Sequence, residues 1–255
     1  MTHIISLHSF RGGTGKSNLA ANLATVFTAA GRRVGIIDTD IQSPGIHILF
    51  GLNSETIRHS LNDYLWGKCA IEAAAHDVTA AMNLGPDAGQ AYLIPASMHP
   101  GEIARILRDG YNVGLLSDGI RQAIIDLQLD VLLIDTHPGL SEETLLAVAI
   151  ANTLLVVMRP DEQDVEGTGV AVQVARRLDV SRLWIVVNKC PAAFDEGQVR
   201  QQVEKAYDSH VAAILPHADE FMTLASKGLF VQEYPDHVVS QRMRQLGHEL
   251  MMSGR

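Results

Sequence analysis

Cysteine is scarce in this chain: Cys69 and Cys190 stand alone among 255 residues, 121 positions apart. Neither belongs to a C-x-x-C pair, so spacing offers no metal or redox motif. Two idle or buried thiols in a reducing compartment are expected instead. Positive charge is also short. Twenty Lys and Arg face 29 Asp and Glu, for a net charge of −9. An acidic whole argues against general nucleic-acid coating, and a local basic patch stays open. Long apolar runs are missing too. The longest, "LLAVAIANTLLVVM", is interrupted by Asn152 and Thr153 and is too short to span a bilayer. It reads as a helix end running into a strand. The opening "MTHIISLHSF" has neither a basic n-region nor a long apolar h-region, so no secretion signal is read and a cytoplasmic location is expected. There is no internal repeat, low-complexity tract or linker, and residues 1–255 are taken as a single domain.

What is present is the composition of a globular core. Apolar residues make up 47% and charged residues 19%. A chain of this length buries a full core without disulfides or metals. Short β-branched and aliphatic runs at 3–9, 33–38, 92–96, 131–135, 153–158, 183–188 and 211–216 read as strands. Between them lie helical patterns. The first follows residue 16, with Leu19, Leu23, Val26 and Phe27 at helical spacing and Gly31 as its stop. Others fall at 102–109, 118–128, 141–150, 164–178, 196–207 and 236–252. The segment 76–90, with Gly85, Pro86 and Gly89, reads as a loop. Near-continuous apolar strands separated by helices predict an α/β fold of three layers, a mostly parallel central sheet covered by helices on both faces. Ligands of such sheets bind at the carboxyl ends of the strands. The polar residues at those ends are Arg11 to Ser17, Asp38, Asp40, Asp135, Asn188 and Pro216, and they are expected to converge on one crevice.

The segment "SFRGGTGKSN" (9–18) follows the first strand and opens the first helix. It nearly spells the phosphate-binding pattern G-x-x-x-x-G-K-[ST], with Phe10 at the first glycine and Arg11 before the glycine pair. Gly12, Gly13 and Gly15 let several backbone N–H groups point at one anion, and the helix adds its positive end. Lys16 suits the β and γ phosphates, and Ser17 suits Mg²⁺. Asp135 ends "VLLID", the pattern of a carboxylate at the tip of a buried strand that holds a metal or its waters; taken alone, it reads equally well as a helix N-cap. "IIDTDIQSPG" carries Asp38 and Asp40. Separate tasks suit them, one in the metal shell and one orienting a water; in isolation the pair reads as a solvated acidic turn. Asn188 closes "VVN", and its amide suits an adenine edge.

Together these motifs resemble the MinD/ParA family of P-loop ATPases, the deviant Walker A group of the SIMIBI class. The family loop K-G-G-x-G-K-[ST] is similar to Arg11-Gly12-Gly13-Thr14-Gly15-Lys16-Ser17. "DTDIQSPGIHILFG" resembles its first switch, "IDTHPGLS" its second, and "ILPHADEFMTLASKGLFV" its late strand and A-x-x-x-G segment. The match runs from residue 3 to about 250, in order. The resemblance implies the three-layer P-loop NTPase fold, with ATP or ADP and Mg²⁺ as cofactors. Gly12, Gly13, Thr14, Gly15, Lys16, Ser17 and Asn18 would hold the phosphates, and Asn188 and the backbone after Pro216 the adenine. Ser17, Asp38 and Asp135 would serve Mg²⁺, and Asp40 the attacking water. It also implies an ATP-dependent sandwich homodimer, in which the residue before the glycine pair crosses into the partner's site. Here that residue is Arg11, a flat fork of five donors rather than a point charge. Two readings stand: Arg11 acts across the dimer, or it pairs locally with the acidic stretch holding Asp161, Glu162, Asp164 and Glu166. Phe10 is expected to fill space beside the loop. His137 and His47, near the two switches, are expected to be solvated or capping.

Family members use ATP to switch partners, so a protein activator or cargo adaptor is implied. MinD types carry a C-terminal membrane helix. Here Met243, Leu246 and Leu250 share one helical face, but only Arg242, Arg244 and Arg255 supply charge, and packing in the domain is the expectation. ParA types bind DNA nonspecifically. The basic residues here (Arg105, Arg108, Arg121, Arg176, Arg177, Arg182, Arg200, Lys205) are scattered, and DNA binding stays open. Three functions follow: a slow, dimerising ATPase that positions or partitions a cargo; a nucleotide-binding scaffold with little turnover; and a metal-cluster carrier, disfavoured by the lone cysteines.

Overall fold

A computed structural model describes residues 2–253; Arg255 lies outside them. Among the described residues there are eight strands: β1 (His3–His8), β2 (Arg33–Asp38), β3 (His76–Asp77), β4 (Gln90–Ile94), β5 (Val131–Asp135), β6 (Thr153–Met158), β7 (Leu183–Cys190) and β8 (His210–Pro216). They form one sheet in the order β3-β4-β2-β5-β1-β6-β7-β8. All pairings are parallel except β3 with β4. The helices are α1 (Lys16–Ala29), α2 (Ile46–Leu49), α3 (Leu61–Leu65), α4 (Pro100–Asp109), α5 (Val113–Asp126), α6 (Glu142–Ile150), α7 (Glu162–Arg177), α8 (Glu196–Tyr207), α9 (Glu220–Leu224), α10 (Phe230–Glu233) and α11 (Val238–Ser253).

The strands are apolar on both faces because both faces are covered. On one side Leu7, Val34, Ile36, Leu133 and Leu155 pack with Leu19, Leu23 and Phe27 of α1 and with Met243, Leu246 and Leu250 of α11. On the other side Ile37, Leu132 and Ile134 pack under α3, α5 and α6. Val156, Ile185 and Val187 pack under α7 and α8. This is the three-layer α/β fold expected from the sequence.

The face of α11 that could have lain on a membrane is therefore in the core, with Met243 and Leu246 1% and Leu250 0% exposed. Arg242 donates to Glu196 and to the Ile214 carbonyl, and Arg244 to the carbonyls of Pro235 and Val231. Among the described residues no helix is long and apolar enough to cross a membrane.

Differences from the sequence reading are local. The segment 76–90 is not all loop. It contains β3, which pairs His76 with Leu93, and a 3-10 turn at Thr79–Met82. A strand of two residues has no periodicity to read. Helix α5 begins five residues before 118 because the Asn112 side chain accepts from Gly114 N–H at 2.8 Å and caps it. Helix α4 begins at Pro100, whose fixed φ suits a first turn.

Candidate functional site

Strand β1 lies where the sheet changes direction, between β5 and β6. A crevice opens at such a point beyond the carboxyl ends of the strands. The chain after β1 turns there through Ser9–Gly15 into α1. Gly13 and Gly15 have φ of +77° and +93°, a region that side chains rarely enter. At Gly15 a Cβ would also stand 2.5 Å from Asn188 Nδ2. The loop is braced from β7: Asn188 Nδ2 donates to the Thr14 carbonyl at 2.7 Å and Lys189 Nζ to the Gly13 carbonyl at 2.8 Å. Lys189 was not singled out from the sequence; the N-K pair closing a strand was the available signal. No side chain among the described residues caps the first turn of α1, so its N–H groups stay available to an anion. Lys16 sits there, 6% exposed, and Thr14 is buried beneath the loop.

Asp38 and Asp135 are register partners at the ends of β2 and β5. They are 0% and 1% exposed. Asp38 Oδ1 accepts from Asp40 N–H at 3.0 Å. Asp38 Oδ2 and Asp135 Oδ1 have no partner among the described residues. Burial pushes both carboxyls up. Asp135 rises to about 6, against the pull of Lys16 and of the neighbouring Ser17 hydroxyl. Asp38 rises well above the usual range, first by burial and then by Asp135 and Asp40. Two orphaned carboxylate oxygens beside a serine hydroxyl form an all-oxygen set of the kind Mg²⁺ takes. The residues fit the ion. Asp40 behaves differently because β2 ends at Asp38. On one strand, residues two apart would share a face; instead Asp40 turns into the crevice.

There Asp40 Oδ1 meets His137 Nδ1 at 2.7 Å and accepts from Ser43 N–H at 3.0 Å. His137 is thus neither solvated nor a cap, as the sequence suggested. His47 is also buried rather than solvated, 2% exposed on α2, and burial lowers its pKa.

Asp40, Ser43 and His137 line a cavity of about 480 Å³. Gly12, Gly13, Gly15, Lys16, Ser17 and Asn18 form one part of its wall, with Asp40 and His137 nearby. Asn188 and Pro216, then Phe221, Leu224 and Met243, form a less polar part. Asn188 uses one N–H on Thr14 and one lone pair on Lys189 N–H, which leaves one of each.

Thr14, Asp38 and Asp135 are buried and do not join this wall, and neither does Arg11. Arg11 Nη1 donates to Gln163 Oε1 at 2.6 Å and lies 3.6 Å from Asp164 and 3.8 Å from Asp161. The sequence pointed to this stretch but missed Gln163. Asp164 is already held by Arg159, whose N and Nε both donate to it at 3.0 Å. Phe10 packs against Gly167 of α7, filling space beside the loop as expected.

A parallel sheet with a glycine loop at its switch point, a buried lysine and paired strand-end carboxylates defines a P-loop nucleotide-binding protein. Residues 1–251 match the family described as ParA: NUBPL iron-transfer P-loop NTPase, and the chain belongs to it. It is similar to an uncharacterized ATP-binding protein of Methanocaldococcus jannaschii, 27% identical over 98% of this chain and 88% of that protein. It is also similar to a cytosolic Fe-S cluster assembly factor Nubp2 homolog of Anopheles gambiae, 26% identical over 99% and 97% of the two chains. In fold it is similar to the septum site-determining protein MinD of Pyrococcus horikoshii, solved with Mg-ADP, with a TM-score of 0.80 at 20% identity over 98% of this chain and 96% of that one.

Proposed function

We propose that this protein is a cytoplasmic ATP-driven switch, which dimerises with ATP between its subunits and is reset by slow, Mg²⁺-dependent hydrolysis. The observation that carries the reading is the pair of orphaned carboxylate oxygens on the register partners Asp38 and Asp135, with Asp135 beside Lys16 and Ser17. The MinD of like fold carries Mg-ADP, which supports the same nucleotide here.

In this reading the loop N–H groups from Gly12 to Asn18 and the Lys16 ammonium bind the phosphates. Ser17, Asp38 and Asp135 hold Mg²⁺ or its waters. When bound, Mg²⁺ neutralises charge that develops on the phosphate oxygens. Asp40 orients the attacking water. The free N–H and lone pair of Asn188, with the backbone after Pro216, meet adenine. Arg11 leaves Gln163 and crosses to the partner's phosphates, where a fork can bridge two oxygens. A protein activator sets the rate, and the task is to position or partition a cargo. DNA is a weaker candidate for the working surface: Arg176, Arg182 and Arg200 are engaged with carbonyls and hydroxyls of their own chain.

The iron-transfer description of the family and the Nubp2 relative raise a second reading, cluster carriage. The cysteines disfavour it. Cys190 is buried under α7 and α8, Cys69 packs in the separate cluster under α3 and α5, and burial pushes both thiols up. A suppressed thiolate is a poor metal ligand.

The test is steady-state ATP hydrolysis over a range of protein concentrations, beside Lys16→Ala. Specific activity that rises with concentration and vanishes in the variant is expected. Nucleotide binding with no turnover at any concentration would favour a scaffold, and no binding at all would remove the reading.

A further inference from the structure

We propose that His137 is the positioning residue for Asp40, an inference that rests on the ATPase reading above. It turns on a contact between two loops. Asp40 lies just beyond β2, and His137 two residues beyond the end of β5. The order β2-β5-β1 makes the two segments neighbours. An aspartate at a loop end, 14% exposed, rotates broadly about its last torsion. Here it is fixed. His137 Nδ1 at 2.7 Å and Ser43 N–H at 3.0 Å both meet Oδ1. A carboxylate oxygen accepts, so the imidazole nitrogen is the donor. With Oδ1 occupied by two donors from different loops, Oδ2 is left to take a proton or hold a water in the cavity that both residues line.

The imidazole is itself held. The carbonyl of His137 accepts from Thr144 Oγ1 at 3.2 Å, and the following Pro138 restricts the backbone of His137 itself. Orientation of this kind acts on rate, because a catalytic carboxylate loses effectiveness when its reacting oxygen is displaced by about 1 Å. His137 bonds Asp40 and Thr144 and, among the described residues, no phosphate-binding group of the loop, so its removal should leave affinity for ATP largely in place.

The experiment compares wild type, His137→Ala, His137→Asn, Asp40→Ala and the double alanine variant. ATP affinity is measured by equilibrium binding, and turnover is measured separately. A hydrogen bond to a charged group is the interaction lost, so kcat in His137→Ala should fall about 10- to 100-fold, with KM within about twofold. The amide nitrogen of asparagine occupies the place of Nδ1, so His137→Asn should recover much of the loss. The double variant should be no slower than Asp40→Ala, since His137 acts through Asp40. A slowly exchanging imidazole N–H resonance should be present in the nucleotide-free protein and absent in Asp40→Ala. Unchanged or faster turnover in His137→Ala, with ATP bound normally, overturns the inference alone. So does an additive loss in the double variant. Absence of hydrolysis in the wild type at every protein concentration overturns the ATPase reading and this one with it.

Discussion

The ring of Phe10 lies against the bare backbone of Gly167. A Cβ at 167 would come within 2.2 Å of its Cδ1 and 2.7 Å of its Cγ. The residue that breaks the loop pattern thus has a complement buried in the middle of α7. Glycine there is unfavourable by about 1 kcal/mol against alanine, so the contact, not the helix, explains it. Gly167→Ala should lower stability by about 1–3 kcal/mol because the ring must move. In a Phe10→Ala background the same substitution should be neutral or stabilising by up to about 1 kcal/mol. Urea unfolding of the four proteins measures this; equal effects in both backgrounds would remove the contact as the cause.

Asp135 makes a pH prediction whose sign differs from that of a paired carboxylate. Its folded pKa of about 6 lies above the ordinary 3.8. Between those values the folded chain keeps a proton that the unfolded chain has released. Stability therefore falls as pH rises through this window and stays reduced above it. Asp38, raised in the same direction, extends the loss upward. In Mg²⁺-free buffer, Asp135→Asn should be more stable than wild type at pH 7 by up to about 3 kcal/mol, with the gap closing towards pH 4. Mg-ADP should narrow or invert the gap at pH 7, since binding stabilises the wild type more. A gap independent of pH would contradict the burial argument.

Lys189 predicts a change in affinity without a change in fold. Its Nζ holds the Gly13 carbonyl at 2.8 Å from an exposed position at the end of β7. Lys189→Ala removes one hydrogen bond that shapes the loop, worth about 1 kcal/mol, so ADP should bind about fivefold more weakly. Asn188→Ala should cost more, because it strips the Thr14 carbonyl and the cavity wall together. Calorimetric titration of both variants, with thermal midpoints alongside, tests the ranking.

The legible parts of this molecule are those whose chemistry is continuous in the chain. The Gly12–Ser17 loop, Asp38 with Asp40, and Asp135 at the end of "VLLID" each carry a strand, a turn and a functional group within about ten residues. Pairings made by the sheet order were not legible. His137 meets Asp40, and Lys189 meets the Gly13 carbonyl, only because β5 sits between β1 and β2 and β7 ends beside the loop. Gln163 shows the limit well. The acidic stretch was visible as a charge feature, but the group that bonds Arg11 is its one neutral amide.

That amide sets up the last prediction. Arg11 is 41% exposed, bonded to Gln163 and flanked by Asp161 and Asp164. Asp164 is already bonded to Arg159, so Gln163 is the partner that fixes where the guanidinium rests. If Arg11 serves the partner subunit, it must first leave this amide. An exposed hydrogen bond of about 0.5–1.5 kcal/mol resists that departure, so Gln163→Ala should raise turnover by about two- to tenfold at subsaturating protein. Arg11→Ala should cut turnover by far more, up to about 10³-fold, since charge supplied to a transferring phosphoryl group has effects of that size. Combining them should look like Arg11→Ala alone. Concentration-dependent ATPase assays read all three. Arg11→Ala with wild-type turnover and normal ATP-dependent dimers would leave Arg11 as a strut between the loop and α7, and Gln163→Ala should then change stability and not rate.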